Sequence, residues 1–357
     1  MTGEGEIDRF LASDFARIGT ELIDRCMKFE GRLYLSGATG FFGKNFLSLL
    51  MHLHQQGGSF RVTALSRSPE QFMLDQPWCR NQSWLEWQKG DVLDKWRGTG
   101  DYDYLLHAAG DTAAYTHRDK FSLFDGIIKG TRNALDFAAA HGVRRILLCG
   151  SGAQYGPIPE TYAKGVPDAC LLACDPTKLR SAYGEAKRAS EMLATILGDK
   201  HGFEIVSARC FAFVGPGLVL DGHFAVGNFI RDAIVGKPIQ LTTDGTAWRS
   251  YLYGADLAVW LLLLLLEADD GAAVNVGSDR AVRILELANL VRDIVNPRVL
   301  VEASGEPSDA ERHFYVPSIA RAKALSLDAW TDLERAIART AQWHRARGMG
   351  VRDGSAP

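Results

Sequence analysis

Leu33 to Gly43 reads LYLSGATGFFG, a short apolar run that leads into Gly37, Gly40 and Gly43 and then into a helical pattern. Glycine at these spacings lets a chain turn sharply out of a strand, approach phosphates without a Cβ in the way, and pack the next helix against the sheet. The helix N-terminus then offers free amides and a positive dipole end to an anion. Gly37, Thr39, Gly40, Phe41, Phe42 and Gly43 are therefore the candidates to hold a dinucleotide pyrophosphate.

Working outward, apolar periodicity predicts strands over 32–37, 60–66, 84–88, 104–109, 144–150 and 203–211, with helices over 41–56, 120–141 and 181–198. Such alternation with short links predicts an α/β fold: a Rossmann-type, doubly wound parallel sheet. After about residue 212 the loops lengthen and helices are expected near 222–236, 255–267, 284–295 and 331–346. The expected organisation is an N-terminal helical extension over 1–30, a dinucleotide-binding domain over 31–211, a smaller mixed α/β substrate-binding portion over 212–346, and a flexible tail over 347–357. In the extension, Phe10, Phe15, Ile18, Leu22 and Ile23 fall near one helical face.

The 357 residues carry 40 basic and 43 acidic side chains, a net charge of −3, which supplies no basic field for nucleic acid or an anionic membrane. The run Val259 to Leu266 holds six consecutive leucines. Asp256 and Glu267 confine it to far fewer than the roughly 20 apolar residues of a membrane span, so it reads as a buried helix. No export signal is visible at the N-terminus, and a cytoplasmic location is expected. The six cysteines, Cys26, Cys79, Cys149, Cys170, Cys174 and Cys210, are scattered and read as reduced thiols, and no metal site is expected.

Tyr183 and Lys187, in YGEAK, stand four residues apart and share a helical face. A phenol of ordinary pKa near 10 that works as a base at neutral pH needs about 4 kcal/mol of help. One ammonium about 4 Å away supplies an interaction of that order. Ser151, in SGAQYG at the end of the strand Arg144 to Cys149, can hydrogen-bond both the tyrosine oxygen and a substrate hydroxyl.

With the glycine loop, Ser151, Tyr183 and Lys187 in this order, the chain resembles the extended short-chain dehydrogenase/reductase superfamily, in particular its NAD-dependent epimerase/dehydratase family acting on nucleotide sugars. The resemblance spans about residues 30 to 345 and rests on GATGFFG, SGAQYG, YGEAK and RSYLYGAD. It implies that Ser151, Tyr183 and Lys187 are catalytic, with Tyr183 exchanging the proton at the sugar oxygen on C4, Lys187 holding the nicotinamide ribose and Ser151 orienting the hydroxyl. It further implies that Asp91 and Val92 meet adenine and that His107, Ala108, Ala109, Cys149 and Phe211 line the cofactor. Arg249 matches the arginine that grips the substrate diphosphate, Gly152 lies beside the sugar, Asn275 matches a strand-end residue, and Arg312 is a further substrate candidate. A homodimer is expected through the helices near 120–141 and 181–198, with Leu123, Phe124, Leu135, Met192, Leu193 and Ile196 as compatible apolar positions.

The chain departs from the family pattern in ways that bear on the reaction. Dehydratases carry an acidic pair immediately after the serine or threonine, and decarboxylating relatives a glutamate at the second place, where this chain has Gly152 and Ala153. Hydride-only chemistry, C4 epimerisation or ketone reduction, is the reading this favours, with dehydration or decarboxylation as the alternative. Ile127 stands where the family has Asn, and Ala212 follows Phe211 where a polar residue is usual. At the end of the second strand, Ser66 and Arg67 replace the carboxylate that commonly holds the NAD ribose, which favours NADP over NAD. A non-catalytic dinucleotide sensor is the rival from another class, and the intact Tyr and Lys pair argues against it.

Overall fold

The computed structural model describes residues 13–110, 119–222, 224–305 and 313–349. Helix α1 (Thr20–Cys26) precedes strand β1 (Gly31–Ser36), helix α2 (Phe41–Gln55), β2 (Phe60–Ser66), α3 (Pro69–Asp75), β3 (Leu85–Lys89), β4 (Tyr104–His107), α4 (Lys120–Ala140), β5 (Arg145–Cys149), α5 (Ala182–His201) and β6 (Glu204–Cys210). There follow β7 (Phe213–Val214), α6 (Ala225–Ile234), β8 (Ile239–Leu241), β9 (Trp248–Arg249), β10 (Leu252–Tyr253), α7 (Gly254–Glu267) and β11 (Ala273–Val276). The last elements are β12 (Val282–Arg283), α8 (Ile284–Val295), β13 (Val301–Ala303), β14 (Phe314–Tyr315), α9 (Ala320–Ala324) and α10 (Leu333–Ala346).

Seven parallel strands form the main sheet in the order β11-β6-β5-β4-β1-β2-β3. The order reverses direction beside β1, so the loops after β1 and β4 diverge there and open the crevice in which such sheets bind ligands. This is the doubly wound sheet that the alternation predicts. One feature differs from the expected division at 211/212: β11 comes from the later portion yet completes the first sheet, pairing Ala273–Val276 with Ser207–Cys210.

Helix α7 explains the leucine run. Leu257 and Leu261 to Leu265 are all buried, because α7 packs against α2 and the sheet on one side and against α1 on another. A helix apolar on every face is stable only when enclosed, and each buried leucine contributes about 1.5–3 kcal/mol. Among the described residues no helix is long and apolar enough to cross a membrane. At its N-terminus the buried Asp256 accepts from the Thr331 amide and hydroxyl, both at 2.9 Å, while burial raises its carboxyl to about 7. This aspartate of the RSYLYGAD motif therefore ties α7 to the chain that leads into α10.

The N-terminal extension is not one continuous helix. A helical turn at 13–15 gives way to turns, and Gly19, at φ +105°, redirects the chain into α1. Phe15, Ile18, Leu22 and Ile23 are buried, as their shared face requires, whereas Phe10 lies outside the described residues. Asp14 is 4% exposed, accepts from the Tyr253 hydroxyl at 2.6 Å and pairs with Arg339 of α10 at 3.0 Å. The extension is thus fastened to both β10 and the last helix.

Three smaller sheets accompany the main one among the described residues. β9 pairs with β12 and β14, and β7 pairs with β10. The β14 pairing sets Phe314 opposite Trp248 and Tyr315 opposite Arg249, a register that brings residues far apart in sequence to one place.

Candidate active site

The glycine loop fits a dinucleotide on its own geometry. Gly37 has φ +75°, and a Cβ there would stand 2.6 Å from the backbone of Ala108 and Ala109, so β1 and β4 close on each other at this residue. A Cβ at Gly43 would meet the Ala38 backbone at 2.4 Å, which is how α2 approaches the sheet. Gly40 differs: its Cβ would meet only the Gly37 carbonyl oxygen at 3.4 Å, leaving the outer side of the loop open. Gly40 also caps α2 without any side-chain hydrogen bond, so the first amides of the helix face the crevice with no side-chain acceptor at the cap. Thr39 is half-buried on the same loop. The Phe42 ring meets Phe213 edge-on at 4.9 Å, and Phe41 lies 6.5 Å from the same ring.

The neighbouring strand ends complete this side. His107 is 3% exposed, with Nδ1 2.7 Å from the Ser36 hydroxyl; burial, and then the charge of Lys187, lower its pKa to about 3, so it is a neutral imidazole. The Ala108 amide donates to the Ser36 carbonyl at 3.2 Å. At the end of β2, Ser66 turns its hydroxyl inward to accept from the Ser68 amide, while Arg67 is exposed. One Asp91 oxygen accepts from the Leu93 amide at 2.9 Å, the turn geometry its sequence also allows, and the Val92 carbonyl takes bonds from Asn133 and Trp96. Arg312 lies outside the described residues.

The reacting groups meet where β5 ends and α5 begins. Lys187 is 7% exposed and its ammonium donates to the Cys149 carbonyl at 2.8 Å, which fixes it at the end of β5, one helical turn after Tyr183 on α5. A Cβ on Gly110 would stand 3.6 Å from the same ammonium, so the chain after β4 passes directly over it. Tyr183 lies against Leu123, Ile127 and Ala186; the Ile127 that replaces a family asparagine serves as wall to the tyrosine ring. Ser151 is 5% exposed and its oxygen accepts from the Ala153 amide at 3.1 Å.

The absence of an acid at position 152 has a steric cause. A Cβ on Gly152 would stand 2.7 Å from the Phe211 ring, so the ring occupies the space that a side chain there would need. Gly184 is held as closely: its Cβ would meet the Ala153 carbonyl at 2.5 Å, which lets α5 approach the turn carrying Ser151.

Behind that turn lies a polar frame that sequence reasoning touched only at Asn275. The Tyr155 hydroxyl donates to Asn275 Oδ1 at 2.8 Å, Arg209 donates to the Tyr155 oxygen at 2.9 Å, and Arg209 pairs with Glu191 of α5 at 2.5 Å. Asn275 spends its amide group on the Val166 and Ser318 carbonyls, so its side chain is structural. Tyr315 was also missed: its ring lies tilted against Phe211, with centroids 4.7 Å apart. Arg249 lies opposite Tyr315 in the sheet, with one nitrogen donating to the Trp248 carbonyl at 2.7 Å.

The description "NAD dependent epimerase/dehydratase family" matches residues 33–277. The chain belongs to that family. UDP-glucuronic acid decarboxylase 5 of Arabidopsis thaliana is 29% identical over 300 residues, covering 82% of this chain and 83% of that protein. Among solved structures, the UDP-glucose 4-epimerase of Thermotoga maritima superposes with a TM-score of 0.74 at 18% identity, over 88% of this chain and 99% of that one. The UDP-glucuronic acid 4-epimerase of Bacillus cereus, in complex with UDP-glucuronic acid and NAD, gives the same score, identity and coverage. This epimerase/dehydratase family member is built on the fold these structures share.

Proposed function

We propose that this protein oxidises C4 of a nucleotide-diphosphate hexuronate, UDP-glucuronate being the first candidate, and carries the resulting ketone on to loss of CO2. The observation that supports it best is the buried Lys187 ammonium held on the Cys149 carbonyl, two residues before Ser151 and, on α5, one helical turn after Tyr183. A dinucleotide bound on the Gly37–Gly43 loop would supply the hydride acceptor. Tyr183 takes the proton from O4 as C4 becomes a ketone, and Arg249 holds the diphosphate.

Decarboxylation was set aside on sequence because Ala153 replaces a glutamate. The likeness over 300 residues to decarboxylases favours it again, and the chemistry tolerates the change. Once C4 is a ketone, the C6 carboxylate stands β to it. The C5–C6 bond breaks, CO2 leaves, and the electron pair moves into the C4 oxygen, which the hydroxyls of Ser151 and Tyr183 would stabilise. Water returns a proton to C5, and the hydride taken by the dinucleotide would return to C4 with a proton from Tyr183 on its oxygen, so that the net change is loss of CO2. What this step needs is donors at O4 rather than a base at position 153. Gly152 and Ala153 favour the second reading, C4 epimerisation or ketone reduction with no bond to carbon broken.

UDP-glucuronate offered with NAD, and separately with NADP, distinguishes these by product mass. A product lighter by CO2 is expected. An isomer of unchanged mass would move the assignment to the epimerase reading, and no product or nicotinamide reduction with any nucleotide sugar would overturn both. Faster reaction with NADP would support a role for Arg67 at a 2′-phosphate; faster reaction with NAD would remove it.

The reading includes a homodimer through α4 and α5. Leu123 and Leu135 are core residues at 3% and 2% exposure, but Phe121, Phe124, Met192 and Ile196 stand exposed on these helices at 78%, 39%, 61% and 54%. Ile196→Arg is expected to halve the mass seen by light scattering, through an unpaired charge in an apolar contact; an unchanged mass would place the interface elsewhere.

A further inference from the structure

Ser151 sits on a short segment that α5 holds at two points. Before it, the Cys149 carbonyl accepts from the Lys187 ammonium at 2.8 Å. After it, the Gln154 side-chain nitrogen donates to Glu191 Oε2 at 2.8 Å. Tyr183, Lys187 and Glu191 follow one another at intervals of four residues on α5 and so share a face. The serine is bracketed by two contacts to one stripe of the helix that also carries the tyrosine.

Glu191 is itself fixed. Arg209 of β6 donates to both of its oxygens, from Nε to Oε2 at 3.1 Å and from Nη2 to Oε1 at 2.5 Å, and its Nη1 donates to the Tyr155 oxygen and the Asp168 carbonyl, both at 2.9 Å. A carboxylate gripped by a guanidinium fork is a rigid point of attachment for Gln154. Only the nitrogen of Gln154 can face that carboxylate, which turns its oxygen the other way, behind Gly150, where a Cβ would stand 3.5 Å from it. Gln154 is 3% exposed, and no donor among the described residues reaches that oxygen. An orphaned buried carbonyl is destabilising, and an apolar side chain of the same length would avoid it.

We propose that Gln154 is a positioning residue of the reacting centre: its bond to Glu191 holds the turn that carries Ser151 in a fixed relation to Tyr183. This deepens the C4 reading above and rests on it for the reaction. Ala153, between the two residues, transmits the constraint. Its amide donates to the Ser151 oxygen at 3.1 Å, and its carbonyl lies where a Cβ on Gly184 would meet it at 2.5 Å. Gly184 directly follows Tyr183, so a shift of the turn changes the relation of serine to tyrosine. Misplacing a reacting group lowers kcat more than it weakens substrate binding.

Two comparisons test this in the full-length protein. Gln154→Met keeps the length of the side chain and removes the donor together with the orphaned oxygen; the lost bond and the relieved oxygen offset each other, and the thermal midpoint should stay close to that of the wild type. With UDP-glucuronate and NAD, its kcat is expected to fall about tenfold at nearly unchanged KM. If the effect passes through Ser151, the Ser151→Ala/Gln154→Met double variant is no slower than Ser151→Ala. An unchanged kcat, a thermal midpoint that falls in step with kcat, or losses that multiply would each overturn the proposal. Hydrogen exchange needs no turnover. In Gln154→Met, peptides covering residues 150–156 should exchange about tenfold faster, the worth of one hydrogen bond to a charged group, while peptides from β6 exchange as before. The Ala153 amide on the Ser151 hydroxyl and the Gln154 amide on the Ser151 carbonyl, at 3.2 Å, are the bonds that a loosened turn gives up. Equal exchange would overturn the proposal. Should UDP-glucuronate not react with the wild-type protein, the substrate reading fails while the exchange comparison still decides the role of Gln154.

Discussion

Tyr183→Phe is expected to lower turnover about 10²–10⁴-fold, the range for removal of a general acid–base group, while NAD affinity and thermal midpoint stay close to those of the wild type. The asymmetry follows from what the residue touches. Its ring lies against Leu123, Ile127 and Ala186, and phenylalanine keeps that contact. The ammonium of Lys187 remains on the Cys149 carbonyl in the variant, so the neighbouring groups are undisturbed. The proton carrier is what the substitution removes from the chemistry. Lys187→Met should behave differently and weaken cofactor binding as well, since the Lys187 ammonium stands under the chain at Gly110 and holds the Cys149 carbonyl at the end of β5. Calorimetric titration with NAD beside steady-state rates separates the two variants. A Tyr183→Phe protein that keeps its activity would remove Tyr183 from the chemistry.

The parts of this site legible in the sequence are those whose geometry is local. A glycine loop between a strand and a helix, and a tyrosine four residues before a lysine on one helix, carry their spatial relation in their spacing. The buried α7 was legible for a similar reason, because six leucines in a row admit no solvated face. Tyr315 was not. The segment HFYVP has no periodicity that points to the site, and the meeting of Tyr315 with Phe211 depends on β14 lying in register beside β9. Gly152 was legible only as an absence, a place without an acid; its cause, the Phe211 ring, comes from β6 and its end, far along the chain. The same limit applies to β11, which joins the main sheet after a long excursion and so escaped a division drawn where the rhythm of the sequence changes.

The glycine loop allows a second large effect to be divided into its structural and binding parts. Gly37→Ala is expected to destabilise the fold by about 3 kcal/mol and to abolish NAD binding, because a left-handed backbone costs a non-glycine residue about 1–2 kcal/mol before any clash is counted. The clash is with backbone: the new methyl would stand 2.6 Å from the Ala108–Ala109 peptide at the end of β4, which cannot swing away as a side chain could. Gly57→Ala is the control for the conformational part alone, since Gly57 has φ +97° with nothing within 4 Å of its Cβ, and it should cost no more than that part. Gly40→Ala isolates the opposite part. Gly40 has φ −76° and ψ 179°, open to any residue, and its methyl would meet only the Gly37 carbonyl oxygen at 3.4 Å. Its fold should therefore survive with a melting temperature near that of the wild type, while NAD affinity falls about tenfold or more, because the methyl fills the face on which phosphates approach the backbone. If Gly40→Ala bound NAD as tightly as the wild type, the dinucleotide could not lie across this loop, and the assignment of the crevice beside β1 would fall with it.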